Sequence, residues 1–126
     1  MISNYPFGDF VTRLKNAALS DAKEVRVRKT KLIKAVAEAL KREGFLLEVK
    51  EEKDELVVRL AFVKKEPIIM NLTLVSKPGL RIYETAEELA SKRGPEIYIV
   101  STSKGVLSSN EAVKKNIGGE VIVKAL

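Results

Sequence analysis

Apolar residues recur along this chain with two periods. Over residues 6–18, Phe7, Phe10, Val11, Leu14, Ala17 and Ala18 fall at helical spacing, which predicts an amphipathic helix with Thr12, Arg13, Lys15 and Asn16 on its polar face. Val25 and Val27 then alternate with Arg26 and Arg28, the period of a short strand buried on one side. Thr30 stands where it can cap a second helix with apolar positions Leu32, Ile33, Val36 and Leu40, and Gly44 where that helix should stop. Residues 45–49 and 56–63 read as two strands joined by the acidic turn Glu51-Glu52-Lys53-Asp54. The first half is therefore α-β-α-β-β.

Lys64-Lys65-Glu66-Pro67 is charged and closes on proline, the best boundary signal in the chain. The expected organisation is an α+β fold of two small packed subdomains, an N-terminal α/β unit over 1–65 and a mainly β unit over 66–126. In the second half residues 68–75 predict a strand that runs into Ser76-Lys77-Pro78-Gly79, with Pro-Gly at the centre of a type II turn. Residues 80–83 alternate, which puts Arg81 and Tyr83 on one face. Thr85 and Glu88 have capping-box spacing, as do Ser108 and Glu111, and each pair predicts a short helix. Gly118-Gly119 precedes a last strand over 120–123.

The apolar run 97–100 ends in Ser101-Thr102-Ser103-Lys104-Gly105, a stretch that has stopped building core. Each hydroxyl can donate one hydrogen bond and accept two, Lys104 adds a positive charge, and Gly105 permits positive φ. Two readings fit locally: a polar loop leading into the next helix, or a rigid surface for phosphate, sugar or base edges. A single phosphate at the following helix N-terminus is a form of the second. Neither GxxxxGK[ST] nor GxGxxG occurs. A Ser-Lys catalytic pair would need a spacing that this stretch lacks.

Composition narrows the choice. The chain has no His and no Cys, so the usual neutral-pH base, the commonest metal ligand and any thiolate are missing. An enzyme is disfavoured, and neither metal nor cofactor is expected. No apolar run approaches the roughly 18 residues of a membrane span, and no signal-peptide core is seen near the N-terminus. The net charge is +6, which suits a polyanion. Its distribution is uneven: Lys23, Arg26, Arg28, Lys29, Lys31 and Lys34 face only Glu24, whereas Glu48, Glu51, Glu52, Asp54 and Glu55 outnumber Lys50 and Lys53. A basic side and a separate acidic tip are expected. Aromatic residues make up 6% of the chain, too few for base stacking along single strands. Hydroxyls with lysines suit the wide minor groove of folded RNA better.

Three motifs then carry a resemblance: Ser76-Lys77-Pro78-Gly79-Leu80-Arg81-Ile82-Tyr83, Ser101-Thr102-Ser103-Lys104-Gly105-Val106 and Ile117-Gly118-Gly119-Glu120. With Thr12-Arg13-Leu14-Lys15-Asn16-Ala17 and Leu40-Lys41-Arg42-Glu43-Gly44-Phe45, they resemble, in order and spacing, the bacterial-type S-eight family of small-subunit ribosomal proteins. The resemblance implies a two-domain protein that binds an irregular helix in the central domain of small-subunit rRNA during assembly. It implies Ser101, Thr102, Ser103 and Lys104 as the centre of the site, Tyr83, Arg81 and Lys77 beside it, and Arg13, Asn16 and Lys31 on RNA backbone. Gly79, Gly105, Gly118 and Gly119 would shape the loops. Implied partners are that rRNA, neighbouring small-subunit ribosomal proteins and, as in some members, ribosomal-protein mRNA repressed through the same site. The free protein is expected to be a monomer, and the location the cytoplasmic ribosome, with an organellar ribosome left open. Two segments depart from the family: Arg28-Lys29-Thr30 replaces a proline and serine before the second helix, and Arg93-Gly94-Pro95-Glu96-Ile97 replaces a glycine-rich stretch. A phosphate-ligand domain is the alternative that the loop alone allows.

Overall fold

The computed structural model describes residues 6–126, so the first five positions of the expected N-terminal subdomain lie outside the described residues. The chain divides into two compact units, one ending at Asn71 and the other starting at Leu72. In the first, helix α1 (Pro6–Leu19) buries Phe7, Phe10, Val11, Leu14 and Ala17, the stripe that periodicity predicts. Strand β1 (Glu24–Arg28) buries Val25 and Val27 and leaves its arginines outward. Helix α2 (Lys31–Arg42) starts as expected, the Thr30 hydroxyl accepting a hydrogen bond from the Ile33 N–H at 3.1 Å. Its buried positions are Ile33, Val36, Ala37, Ala39 and Leu40. Leu32, expected inward, is exposed, at the second position of the helix in its first turn.

Strands β2 (Leu46–Glu52) and β3 (Glu55–Leu60) complete an antiparallel sheet in the order β1-β3-β2. As the middle strand, β3 buries Leu56, Val57, Val58 and Leu60. Strands β4 (Phe62–Val63) and β5 (Glu66–Pro67) form a small hairpin in this unit. Lys64 and Lys65 are therefore the turn of that hairpin, with φ of +52° and +69°. Such a turn favours Asn-Gly, and each left-handed lysine costs roughly 1–2 kcal/mol.

The second unit holds β6 (Leu72–Leu74), β7 (Tyr83–Glu84), α3 (Ala86–Ala90), β8 (Ile97–Thr102), β9 (Gly105–Ser108), α4 (Ser109–Lys114) and β10 (Gly119–Ala125). All its ladders are antiparallel, and β10 pairs with β8 on one side and with β6 and β7 in succession on the other. Both capping boxes form as the spacing predicts. Leu89, Ala112, Val100, Leu107 and Val121 make a buried cluster between these helices and the sheet, each full burial contributing roughly 1.5–3 kcal/mol for the larger side chains. Three expectations change. The strand read over 68–75 shrinks to Leu72–Leu74, since Leu72 stands opposite Ala125, where β10 ends. The strand read over 80–83 shrinks to Tyr83–Glu84, because the Ile82 N–H is taken by the Ser76 hydroxyl. The loop read over 101–105 shrinks to the turn Ser103–Lys104, since Ser101 and Thr102 continue β8 and Gly105 starts β9, which pairs with it.

Candidate nucleic-acid interface

The central strand β10 organises the site. Glu120 lies opposite Tyr83 on one side and opposite Ser101 on the other. Opposed residues of an antiparallel ladder share a face, so Tyr83, Glu120 and Ser101 form one row across three strands. The next residues along, Val121 and Val100, point the other way into the cluster with α3 and α4. The row thus occupies the sheet face away from the helices. Tyr83 is 67% exposed on it. Arg81 reaches the row as well, its guanidinium 3.3 Å from the Glu120 carboxylate.

This row depends on close backbone approach at Gly118 and Gly119. A Cβ on Gly119 would fall onto the Ser101 carbonyl, and one on Gly118 onto the Glu84 carbonyl. Any side chain there would push the Ser101 strand and the Tyr83 strand away from β10. Ser76, 1% exposed, fixes the approach on the other side. Its hydroxyl donates to the Val121 carbonyl at 2.7 Å and accepts from the Ile82 N–H at 2.9 Å. Between these anchors the chain makes the predicted turn, Leu80 N–H donating to the Lys77 carbonyl at 2.9 Å with Gly79 at φ +84°. That arrangement presents Lys77 at the surface.

Thr102 pairs with Gly105 across the β8–β9 hairpin, which leaves Ser103 and Lys104 as its turn. The Thr102 hydroxyl donates to the Gly105 carbonyl at 2.7 Å and accepts from the Lys104 N–H at 3.1 Å. Its single proton is spent inside the turn, so Thr102 shapes the loop. Ser101, Ser103 and Lys104 have no side-chain partner among the described residues. They are free to meet a ligand. Lys92 braces the unit from below, 3.1 Å from the Glu84 carboxylate and 4.7 Å from the centre of the Tyr98 ring. The hydroxyl turn does not adjoin the N-terminus of α4, since β9 intervenes, and the Ser108 and Glu111 side chains satisfy N–H groups there. The single-phosphate form of the loop reading loses its geometry.

In the first unit, Arg13 and Asn16 share a shallow groove with Ser20, Glu24 and Arg26. Arg13 is held by Asp9 at 2.8 Å, one helical turn earlier. Lys31 stands apart at the first position of α2, exposed and without an ion pair among the described residues. The expected separation of a basic side from an acidic tip is corrected. Arg26 pairs with Glu52 at 3.0 Å and Glu55 at 3.6 Å, while Lys34 and Lys29 meet Glu51 at 3.0 and 3.4 Å. The acidic turn read over 51–54 is reduced to Lys53-Asp54: Glu51 and Glu52 end β2 and Glu55 begins β3, and the folded sheet sets these acids beside the basic segment, where opposite charges attract. Hydrogen bonds from Lys34 and Lys29 hold the Glu51 carboxyl below its ordinary value, and Glu52 raises Arg26.

Sequence reasoning passed over Glu120, Ser76 and Lys92. The first two lie inside quoted motifs and are visible there; Lys92, between α3 and β8, gives no signal, since its partners come from the strands β7 and β8.

The family described as ribosomal protein S8 matches residues 5–125. A small ribosomal subunit protein uS8 of Streptococcus uberis (strain ATCC BAA-854 / 0140J) is 42% identical, with 97% of each chain covered. Its counterpart in Streptococcus pneumoniae (strain Hungary19A-6) is 43% identical over the same shares. The motifs that build the row, the hairpin and the glycine approach fall within the matched residues, and the chain belongs to the ribosomal protein S8 family.

Proposed function

We propose that this protein, a structural and non-enzymatic component of the small ribosomal subunit, binds an irregular helix in the central domain of small-subunit rRNA directly and helps assemble that region. The observation that carries the reading is the row Tyr83–Glu120–Ser101 ending in a turn whose Ser103 and Lys104 are unengaged. A hydroxyl and an ammonium on a braced hairpin suit 2′-hydroxyls and phosphates in a wide minor groove. Arg81, held by Glu120, is oriented before RNA arrives, which reduces the ordering cost of binding. Thr102 acts through the turn, and Tyr83 and Lys77 flank it. Arg13, Asn16 and Lys31 add backbone contacts.

The test is binding to a central-domain rRNA fragment against a scrambled duplex competitor. Binding through about six to ten phosphates should weaken roughly 10³- to 10⁵-fold between 50 and 200 mM salt, yet resist the competitor at either. Binding that the competitor abolishes would reduce the protein to a general polyanion binder and reject the reading.

A further inference from the structure

We infer that the first unit carries a docking groove for a segment of another protein, one that presents apolar side chains flanked by carboxylates. Leu47, Leu60, Ala61 and Phe62 wall the groove, and Lys23, Arg59 and Lys65 stand at its rim with Asp21 as the single acid. Leu47 is 64% exposed. It sits at an irregularity in the β2–β3 register, between Leu46 opposite Leu60 and Glu48 opposite Arg59. A bulge re-aims a side chain, and here it turns a leucine into water. A neighbouring, more polar depression shares Asp21 and Lys65 with the groove and holds Leu19 and Met70, each 73% exposed, together with Glu66. An exposed apolar groove with a charged rim marks an interaction site.

Charge and chemistry choose the occupant. Apolar walls gain by excluding water against other apolar groups, and a phosphate backbone offers none. Lys23 and Lys65 have no ion pair among the described residues, whereas Arg26, Lys29 and Lys34 of the same unit are each matched to a glutamate. Unmatched lysines beside an exposed leucine complement carboxylates beside an apolar residue. A second copy fits badly, since a two-fold contact would bring the same cations against one another. Lys65 also occupies a left-handed turn position that favours glycine, so the rim charge can be removed there without harming the fold.

The experiment places a photo-crosslinking side chain in the groove, Leu47→p-benzoylphenylalanine, and irradiates reconstituted small subunits that contain the variant. The expected product is a crosslink to a protein segment with Asp or Glu next to the apolar attachment point. Adding Lys23→Glu and Lys65→Glu should cut its yield about tenfold. The pair Lys64→Asn and Lys65→Gly should lower the yield while leaving Tm unchanged or higher, which separates lost charge from lost folding. A crosslink to rRNA, to a second copy or to a segment without carboxylates overturns the proposal, as does no crosslink in subunits shown to hold the protein. Entry into the subunit is quantified separately and reports on the rRNA reading. If the Leu47 variant does not enter, Phe62→p-benzoylphenylalanine probes the same groove under the same criteria.

Discussion

The basic segment of β1 and α2 and the Ser103–Lys104 turn offer opposite answers to where a polyanion is read. The first has the greater charge, yet Arg26, Lys29 and Lys34 spend theirs on Glu51, Glu52 and Glu55. The second has one lysine, but its backbone is fixed by Gly118, Gly119 and Ser76, and its Ser101 and Ser103 hydroxyls are unspent. Under the proposed reading, a count of cations would choose the wrong place. What distinguishes the turn is constraint: polar groups held in fixed positions with nothing inside the protein to satisfy them. Lys31, like Lys23 and Lys65, lies outside the ion-pair network among the described residues, and the proposed backbone contact uses it.

The largest effect should come from removing the constraint. Gly119→Ala places a methyl on the Ser101 carbonyl and should cost about 3 kcal/mol, the upper end of overpacking penalties; urea denaturation checks it, and a neutral result would remove the basis for the rigid row. Next, Lys92→Met keeps the stem over Tyr98 but leaves the largely buried Glu84 carboxylate without its cation. A loss of about 1–3 kcal/mol is expected, with the β7 and β8 amides of the second unit losing hydrogen-exchange protection first. Lys31→Ala should weaken all RNAs alike and lower the salt slope by about 0.7–0.9; a selective loss on the cognate fragment would move specificity into the first unit. The smallest effect belongs to Glu51→Gln. Because the folded carboxyl titrates below its ordinary value of 4.5, its stabilisation is present above that value and fades as the pH falls through the lower folded one. The variant should therefore lose a little urea resistance at neutral pH and none at strongly acidic pH. It should also steepen the salt slope for scrambled RNA as Lys29 and Lys34 are released.

Much of this was legible in the sequence for definite reasons. The α1 and α2 stripes, the β1 alternation and the three caps are local signals, and each formed where its residues stand. The row was not legible, because Tyr83, Glu120 and Ser101 meet only through the pairing of β10 with two distant strands. Gly118-Gly119 was read as a loop pair, although its physical meaning is the absence of a Cβ against two neighbouring backbones. The charge clusters are legible but their placement is not, since Glu51 at the end of β2 and the Lys29–Lys34 stretch are neighbours only after folding. Lys64-Lys65 looked like a linker because lysine rarely occupies a left-handed hairpin turn.

The most direct measurement is the affinity of Ser103→Ala for the central-domain rRNA fragment and for a scrambled duplex, each relative to the unaltered protein at a single salt concentration. The constraint account predicts a cognate loss of about 1–3 kcal/mol from the missing hydrogen bond, no change on the scrambled duplex and an unchanged salt slope. Equal loss on both RNAs, or no loss on either, would contradict it and return recognition to general charge.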